Sequence, residues 1–356
     1  MKRIYFLAGE PSGDFLGATV IDRLSKYKDV KICGLGGSMM KRHLTGTINA
    51  MQQIAVGGIA EIIPQIFMIK RLIHQVAEDI IQQNPDVLLT IDSPGFCFRV
   101  AKLVKKQNSA IKLLHLVAPS VWAWRSNRAR KLAKIYDHLL TLFDFEPPYF
   151  TKYGLKTTFV GHPATEEFND TDNRKENMLL VLPGSRKQEI TMLLPIFIET
   201  LKYLSFERVV IPTLPHLEPL IKSLILQNNI EIVSDETKKK LLFQTAKCSI
   251  VASGTATLQL ALSGCPMVCC YKLAPLTYHI IKSMINIQYI SLVNILLKAP
   301  VVPELIQSDC VPEKIAQTVK TLQKEEQVAR FPKLYQHILA NNNSPSAEIA
   351  DIILQA

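Results

Sequence analysis

Two carboxylates and a hydroxyl crowd the first loop of the chain, Ala8-Gly9-Glu10-Pro11-Ser12-Gly13-Asp14, directly behind the apolar run from Ile4 to Leu7. Several acceptors within one short turn suit a ligand rich in hydroxyls. The spacing is not G-x-G-x-x-G and no Lys stands ready to clamp a phosphate, so neither dinucleotide nor P-loop chemistry is indicated. A further acid, Asp92, opens Asp92-Ser93-Pro94-Gly95-Phe96 behind the run Val87 to Ile91. An Asp at a strand end can take a proton from a hydroxyl. Asp-Ser-Pro is equally an ordinary helix start, in which the Asp does no more than cap. Both Trp residues fall in Ala118-Pro119-Ser120-Val121-Trp122-Ala123-Trp124-Arg125. Paired rings beside an Arg can line a pocket for apolar or sugar groups, and packing both rings into the core is the plainer alternative. Arg125, Arg128, Lys131 and Lys134 recur at spacing three, which makes a solvated face or a hold on phosphate or an anionic membrane surface.

In the second half, Leu182-Pro183-Gly184-Ser185-Arg186 and Ala252-Ser253-Gly254-Thr255-Ala256-Thr257 each join an apolar run to a helical pattern. Small residues there let backbone N–H groups approach an anion at a helix N-terminus, and Arg186 adds a bidentate contact. Two such loops facing one cleft would hold a diphosphate without a metal. The eight His are scattered, none in H-E-x-x-H, and G-x-S-x-G is absent, so no metal, cofactor or serine nucleophile is expected.

These loops need strands to deliver them. Apolar runs recur at Ile4 to Leu7, Val30 to Leu35, Val87 to Ile91, Ile111 to Val117, Leu139 to Phe143 and Thr158 to Val160, with helical periodicity between most of them. A second series follows at Met178 to Leu182, Arg208 to Pro212, Ile230 to Val233, Ser249 to Ala252 and Met267 to Cys270. Strand then helix, repeated, gives a parallel sheet covered on both faces. The expected class is α/β, with two tandem doubly wound, Rossmann-like domains, residues 1–168 and 169–340. Asp170 to Asn177, polar and without a hydrophobic period, reads as the linker. Helices at Pro312 to Lys324 and Ala347 to Leu354 close the chain, and the segment 341–356 is expected to cross back onto the first domain.

At 356 residues, 48% apolar and 20% charged, the chain reads as globular, and no low-complexity tract or repeat appears. The net charge of +10 is uneven: residues 1–168 hold 22 Lys or Arg against 14 acids, residues 169–356 hold 19 against 17. A basic face attracts nucleic acid, anionic lipid or phosphorylated substrates. Seven Cys without a C-x-x-C pair read as reduced core residues of a cytosolic protein, and Met1-Lys2-Arg3-Ile4 leads into a strand rather than a signal sequence. Val56 to Arg71 is more apolar than a surface helix requires, so it is a buried core helix or an acyl-chain groove. The uncharged stretch Cys248 to Tyr271 is broken by Ser253-Gly254-Thr255 and Ser263-Gly264-Cys265-Pro266 into strand, helix and strand, which excludes a membrane span.

Taken together and in order, Gly9-Glu10-Pro11-Ser12-Gly13-Asp14, Ile91-Asp92-Ser93-Pro94-Gly95-Phe96, Pro119-Ser120-Val121-Trp122-Ala123-Trp124-Arg125, Phe159-Val160-Gly161-His162-Pro163, Leu182-Pro183-Gly184-Ser185-Arg186, Ala252-Ser253-Gly254-Thr255-Ala256-Thr257-Leu258 and Ser291-Leu292-Val293-Asn294 resemble the lipid-A-disaccharide synthase family. The resemblance implies a GT-B glycosyltransferase with UDP-2,3-diacylglucosamine as donor and 2,3-diacylglucosamine 1-phosphate as acceptor. Inversion at the anomeric carbon would give the β-1,6-linked disaccharide 1-phosphate and UDP. It further implies Asp92 as general base and Arg186 as the group that stabilises the departing diphosphate. Glu10, Ser12, Asp14, Trp122 and Arg125 would form the acceptor side. Gly184, Ser185, Arg186, Ser253, Gly254, Thr255, Gln259 and Asn294 would form the UDP side. Work at the cytoplasmic face of the inner membrane is implied, against an anionic surface, with a homodimer kept as an assembly option. Three positions depart from the family pattern. Cys97 stands where Asn is usual, Gln259 where many GT-B enzymes carry a ribose-binding Glu, and Gly57-Gly58 where Met-Gly is usual.

Two other readings compete. A non-hydrolysing UDP-sugar 2-epimerase would share the architecture and the diphosphate chemistry, but leaves the Trp-rich loop, the apolar helix and the basic surplus without a use. A nucleic-acid-binding protein would need aromatics interleaved with Lys and Arg, which only residues 122–134 approach, so no nucleic-acid partner is expected.

Overall fold

The computed structural model describes residues 1–42, 44, 59–124, 126–168, 176–225, 229–284, 287–340 and 344–356, with backbone alone at 59–66, 276, 280 and 281. The chain forms two compact units, residues 1–163 with 337–356, and residues 164–336.

The first unit is built on six parallel strands: β1 (Lys2–Ala8), β2 (Val30–Leu35), β3 (Val87–Ile91), β4 (Lys112–Leu116), β5 (His138–Thr141) and β6 (Lys156–Phe159), in the order β2-β1-β3-β4-β5-β6. The apolar runs of β1, β3, β4 and β5 are buried on both faces, as continuous rather than alternating hydrophobicity requires, while edge strands β2 and β6 are partly open; Ile4, Phe6, Leu7, Leu89 and Ile91 are fully buried. Helices Pro11–Leu24 and Pro94–Gln107 each begin on a Pro, whose fixed φ and missing N–H cost nothing in a first turn. The chain winds from β1 to β2 on one side, then returns to place β3 on the other side of β1. The loops after β1 and β3 therefore diverge at a topological switch point, where open α/β sheets take ligands.

Two strands stop earlier than their apolar runs. The run Ile111 to Val117 yields β4 only as far as Leu116, because Val117 takes a left-handed φ of 80°. The run Leu139 to Phe143 ends as a strand at Thr141, and Leu142 and Phe143 turn away from the sheet. The helix Ile59–Gln83 buries Leu72, Ile73, Val76, Ala77 and Ile80, whereas Phe67 is 83% exposed. Val56, Gly57 and Gly58 lie outside the described residues. The C-terminal helix Pro345–Gln355 packs on helix Pro11–Leu24, and Lys2 Nζ donates to the Leu354 carbonyl at 2.6 Å.

The second unit repeats the plan with β7 (Glu176–Leu182), β8 (Arg208–Pro212), β9 (Ile230–Val233), β10 (Ala246–Ala252), β11 (Met267–Tyr271) and β12 (Glu304–Ile306), all parallel, in the order β12-β11-β10-β7-β8-β9. Here the switch point lies between β7 and β10. Glu176 and Asn177, read above as linker, belong to β7, and 170–175 lie outside the described residues. The expected helix Pro312 to Lys324 ends at Thr321, and a separate helix runs Lys324–Arg330. Cys248 to Tyr271 forms strand, helix (Thr255–Leu262) and strand. All seven Cys are buried thiols outside any disulfide. Among the described residues no helix is long and apolar enough to cross a membrane.

Candidate functional site

At the switch point of the first sheet the loops after β1 and β3 meet through one hydrogen bond. Ser12 Oγ donates to Asp92 Oδ2 at 2.8 Å, and Asp92 Oδ1 accepts from the Ser93 amide, also at 2.8 Å. Ser93, not Asp92, is the N-cap of helix Pro94–Gln107, and the Asp92 carboxylate is taken up by Ser12 and the Ser93 amide, so the capping alternative falls away. Its backbone explains why. Asp92 and Ser93 both sit at left-handed φ, 52° and 46°, and Val117 on the neighbouring loop at 80°. Such conformations cost about 1–3 kcal/mol each and persist where surrounding structure over-determines them, typically at functional sites. Here the Asp92 amide is fixed to the Leu116 carbonyl at 3.0 Å, and the Val117 amide to the Leu140 carbonyl at 3.1 Å. Gly13 lets helix Pro11–Leu24 press close, since a Cβ there would stand 3.1 Å from the Ile91 carbonyl. Cys97 is fully buried beneath, its Sγ 3.9 Å from the Leu7 and Ile91 carbonyls; burial, reinforced by the Asp92 charge, pushes its thiol well up.

The other acceptor-side candidates divide. Glu10 flanks the start of helix Pro11–Leu24 and is partly exposed. Asp14 is 3% exposed, and its carboxylate accepts from the amides of Gly37 (2.7 Å), Met39 (3.0 Å) and Met40 (3.1 Å). It braces the turn after β2 from beneath, where a wall residue was expected. Trp122 stands edge-to-face against Phe145 at 5.5 Å, and the Arg128 guanidinium lies 5.3 Å from the Trp124 ring centroid. Arg125 lies outside the described residues. The basic row is not one helical face, because its helix spans only Asn127–Leu132 and Lys134 falls beyond it.

Behind Trp122, the loop after β5 carries a residue that sequence reasoning missed. Glu146 is 2% exposed, and burial pushes its carboxyl up to about 8 against the opposing pull of the Phe143 amide (3.3 Å) and the Trp122 indole. The Trp122 N–H is buried and lowers the carboxyl electrostatically, but falls short of a formed hydrogen bond. His162, after β6, is buried beside Phe143 at 6.1 Å, and burial lowers it to about 4. In Phe143-Asp144-Phe145-Glu146-Pro147 the one local hint was an acid enclosed by aromatics and prolines.

At the switch point of the second sheet the turn after β7 is already neutralised from within. The Ser185 and Arg186 amides donate to Glu189 Oε2 at 3.1 and 3.3 Å, and Arg186 Nη1 pairs with Glu189 Oε1 at 3.3 Å. Glu189 thus supplies the carboxylate half of a capping box for helix Lys187–Thr200; Arg186, with no acceptor atom, cannot supply the other half. Gly184 has φ 111°, and a Cβ there would collide with the Glu189 carboxylate, so only glycine fits. Tyr271, at the end of β11, has its phenol raised by burial and by Glu189, with Arg186 opposing.

Beside it, the turn after β10 presents Ser253, an exposed Gly254 and Thr255 at the head of helix Thr255–Leu262. Gly254 takes φ 156°, and a Cβ there would meet nothing within 4 Å, so its open side faces free space. Gln259 lies one turn into that helix, partly exposed. Asn294, expected on the nucleotide side, is 1% exposed and points inward. Its amide donates to the Val302 carbonyl (2.7 Å) and Glu304 Oε1 (2.8 Å), while its oxygen accepts from the Val302 amide (2.8 Å). Asn294 thereby bonds to Glu304, which the sequence did not single out.

A family model described as lipid-A-disaccharide synthetase matches residues 4–355. The lipid-A-disaccharide synthase of Rickettsia typhi is 40% identical over 384 residues, covering 100% of this chain and 99% of that protein. Among solved structures, MurG of Acinetobacter baumannii aligns with a TM-score of 0.55 at 16% identity, covering both chains completely. A UDP-GlcNAc 2-epimerase of Methanocaldococcus jannaschii, in complex with UDP-GlcNAc and UDP, aligns with a TM-score of 0.63 at 14% identity, again over both whole chains. At such identities the structural likeness is one of fold, the GT-B type.

Proposed function

Because the chain belongs to the lipid-A-disaccharide synthase family, we propose that Asp92 is the general base of an inverting glycosyl transfer from UDP-2,3-diacylglucosamine to 2,3-diacylglucosamine 1-phosphate. The observation that carries the assignment is the Ser12–Asp92 hydrogen bond at the switch point of the first sheet, on a backbone that holds the carboxylate away from any capping role. As the acceptor hydroxyl oxygen forms its bond to the anomeric carbon, its proton passes to Asp92 and the bond to UDP breaks on the opposite face. Ser12 orients the carboxylate, and Glu10 and Trp122 line the acceptor side. Arg186, with the backbone of Ser253, Gly254 and Thr255, carries the charge that develops on the leaving diphosphate. Gly184 and Ser185 shape the Arg186 turn, and Gln259 reaches a nucleotide hydroxyl as a neutral partner.

The reading includes work at the cytoplasmic face of a membrane, touched peripherally. Support comes from helix Ile59–Gln83, where exposed Phe67 and Met68 stand beside Lys70 and Arg71. The epimerase alternative is supported by fold likeness alone.

Release of UDP from the diacylated donor, dependent on the acceptor, tests the activity. Asp92→Asn is expected to lower kcat by roughly 10²- to 10⁴-fold, the usual worth of a general base. Near wild-type turnover at saturating substrates would remove Asp92 from the role.

A further inference from the structure

The turn at Gly254 is held by a residue one strand beyond its neighbour. Glu304, the first residue of edge strand β12, directs its carboxylate onto the segment that precedes helix Leu292–Leu297. Oε1 accepts from the Ser291 amide at 2.9 Å and from Asn294 Nδ2 at 2.8 Å, and the Ile290 amide lies 3.1 and 3.0 Å from the two oxygens. Ile290 then offers its carbonyl to Ser253 Oγ at 2.7 Å. A continuous path therefore runs from the Glu304 carboxylate through the Ile290 peptide to the Ser253 hydroxyl and the turn at Gly254. Three donors on one carboxylate make a stiff, charge-assisted anchor. Asn294 braces it by gripping both the amide and the carbonyl of Val302, two residues before Glu304. The hydroxyl of Ser253 has one proton, and committing it to Ile290 fixes the rotamer and the direction of its lone pairs.

We propose that Glu304 is a positioning residue for the donor nucleotide: through Ile290 it fixes Ser253, and with it the Gly254–Thr255 turn, in the geometry that receives the diphosphate of a UDP-sugar. The proposal rests on the assignment of that turn to the nucleotide given above. Glu304 acts without touching the ligand, so its loss is felt in UDP affinity.

The test is calorimetric titration of UDP into the full-length protein, as wild type, E304Q, S253A and the double variant. E304Q keeps the side-chain volume but sets an N–H against the donors of Ile290, Ser291 and Asn294. S253A removes one oxygen from a partly exposed residue and guards against a folding artefact at Glu304. Each single variant is expected to weaken UDP binding by about tenfold, the worth of one lost charge-assisted contact. The double variant is expected to bind no worse than the weaker single one, because both cut the same path. Additive losses, or single-variant affinities within twofold of wild type, would overturn the role of Glu304. G254V separates this from the underlying assignment. If G254V abolishes UDP binding while E304Q binds normally, only the Glu304 inference fails; if G254V binds UDP normally, the turn is not the nucleotide site and both fail.

Discussion

Replacing Glu146 by Gln should change how the first unit responds to pH more than how it responds at any one pH. Glu146 titrates near 4.5 in an unfolded chain and at about 8 in the fold, where burial outweighs the Phe143 amide and the Trp122 indole. Between those values the folded state holds one proton that the unfolded chain has lost, so this group's contribution to stability is complete below 4.5 and drains away as pH rises towards 8. Each pH unit in that window carries about 1.4 kcal/mol, for a ceiling of roughly 5 kcal/mol. Three histidines work in the opposite sense. Burial lowers His115 to about 3 and His138 and His162 to about 4, so their contribution is complete above the ordinary histidine value and is lost as pH falls through the lowered ones. Absolute stability therefore mixes both signs, and the difference between Glu146→Gln and wild type isolates the carboxyl. Both tryptophans, Trp122 and Trp124, lie in the first unit, so denaturant titration followed by tryptophan emission reads that unit alone. The expected result is a variant that gains several kcal/mol on wild type between pH 5 and pH 8.5, then levels off. A difference that stays constant within about 1 kcal/mol over that range would refute the buried, proton-retaining carboxyl.

Two further outcomes can be checked. Asp14→Ala leaves three backbone amides without their acceptor, and should cost the first unit roughly 3 kcal/mol in the same fluorescence titration, with loss of activity following the loss of fold. Phe67→Asp puts a charge at an exposed position of helix Ile59–Gln83, and should reduce co-sedimentation with vesicles of anionic phospholipid at least several-fold while leaving UDP affinity unchanged.

Strands buried on both faces announce themselves as unbroken apolar runs, which is why most of the strands, from Ile4–Leu7 to Met267–Cys270, were legible together with the turns behind them. β12 was not, since three residues at a sheet edge carry no pattern. The ends of β4 and β5 were misjudged for a different reason: Val117, Leu142 and Phe143 are apolar enough to continue a strand, and only the fold turns them aside. At the candidate site the sequence shows an acid, Asp92, behind a strand but leaves helix cap and proton acceptor both open, and only its tertiary bond to Ser12 separates the two. The site was not legible where tertiary partners decide which way a side chain points. Asp14 and Asn294 look like ligand contacts in a motif, yet each spends its polar atoms on the chain's own backbone or on Glu304. Glu146 and Glu304 show the converse: the aromatic and proline neighbours of Glu146 give only a faint hint of burial, and nothing in the local sequence of Glu304 distinguishes it from a surface acid.

The pairing of Glu189 with the Ser185 and Arg186 amides and with the Arg186 guanidinium has a consequence for association with a nucleotide. The turn carries its own counter-ion, so a diphosphate bound there as proposed would exchange places with a carboxylate rather than fill a bare positive socket. With the Arg186 charge already met by Glu189, long-range attraction at this turn falls to the adjacent, exposed Lys187 and the chain's general basic surplus, which salt screens. On that proposal discrimination would rest on geometry, since a ligand oxygen reaches the guanidinium and the two amides only by displacing the oxygens of Glu189.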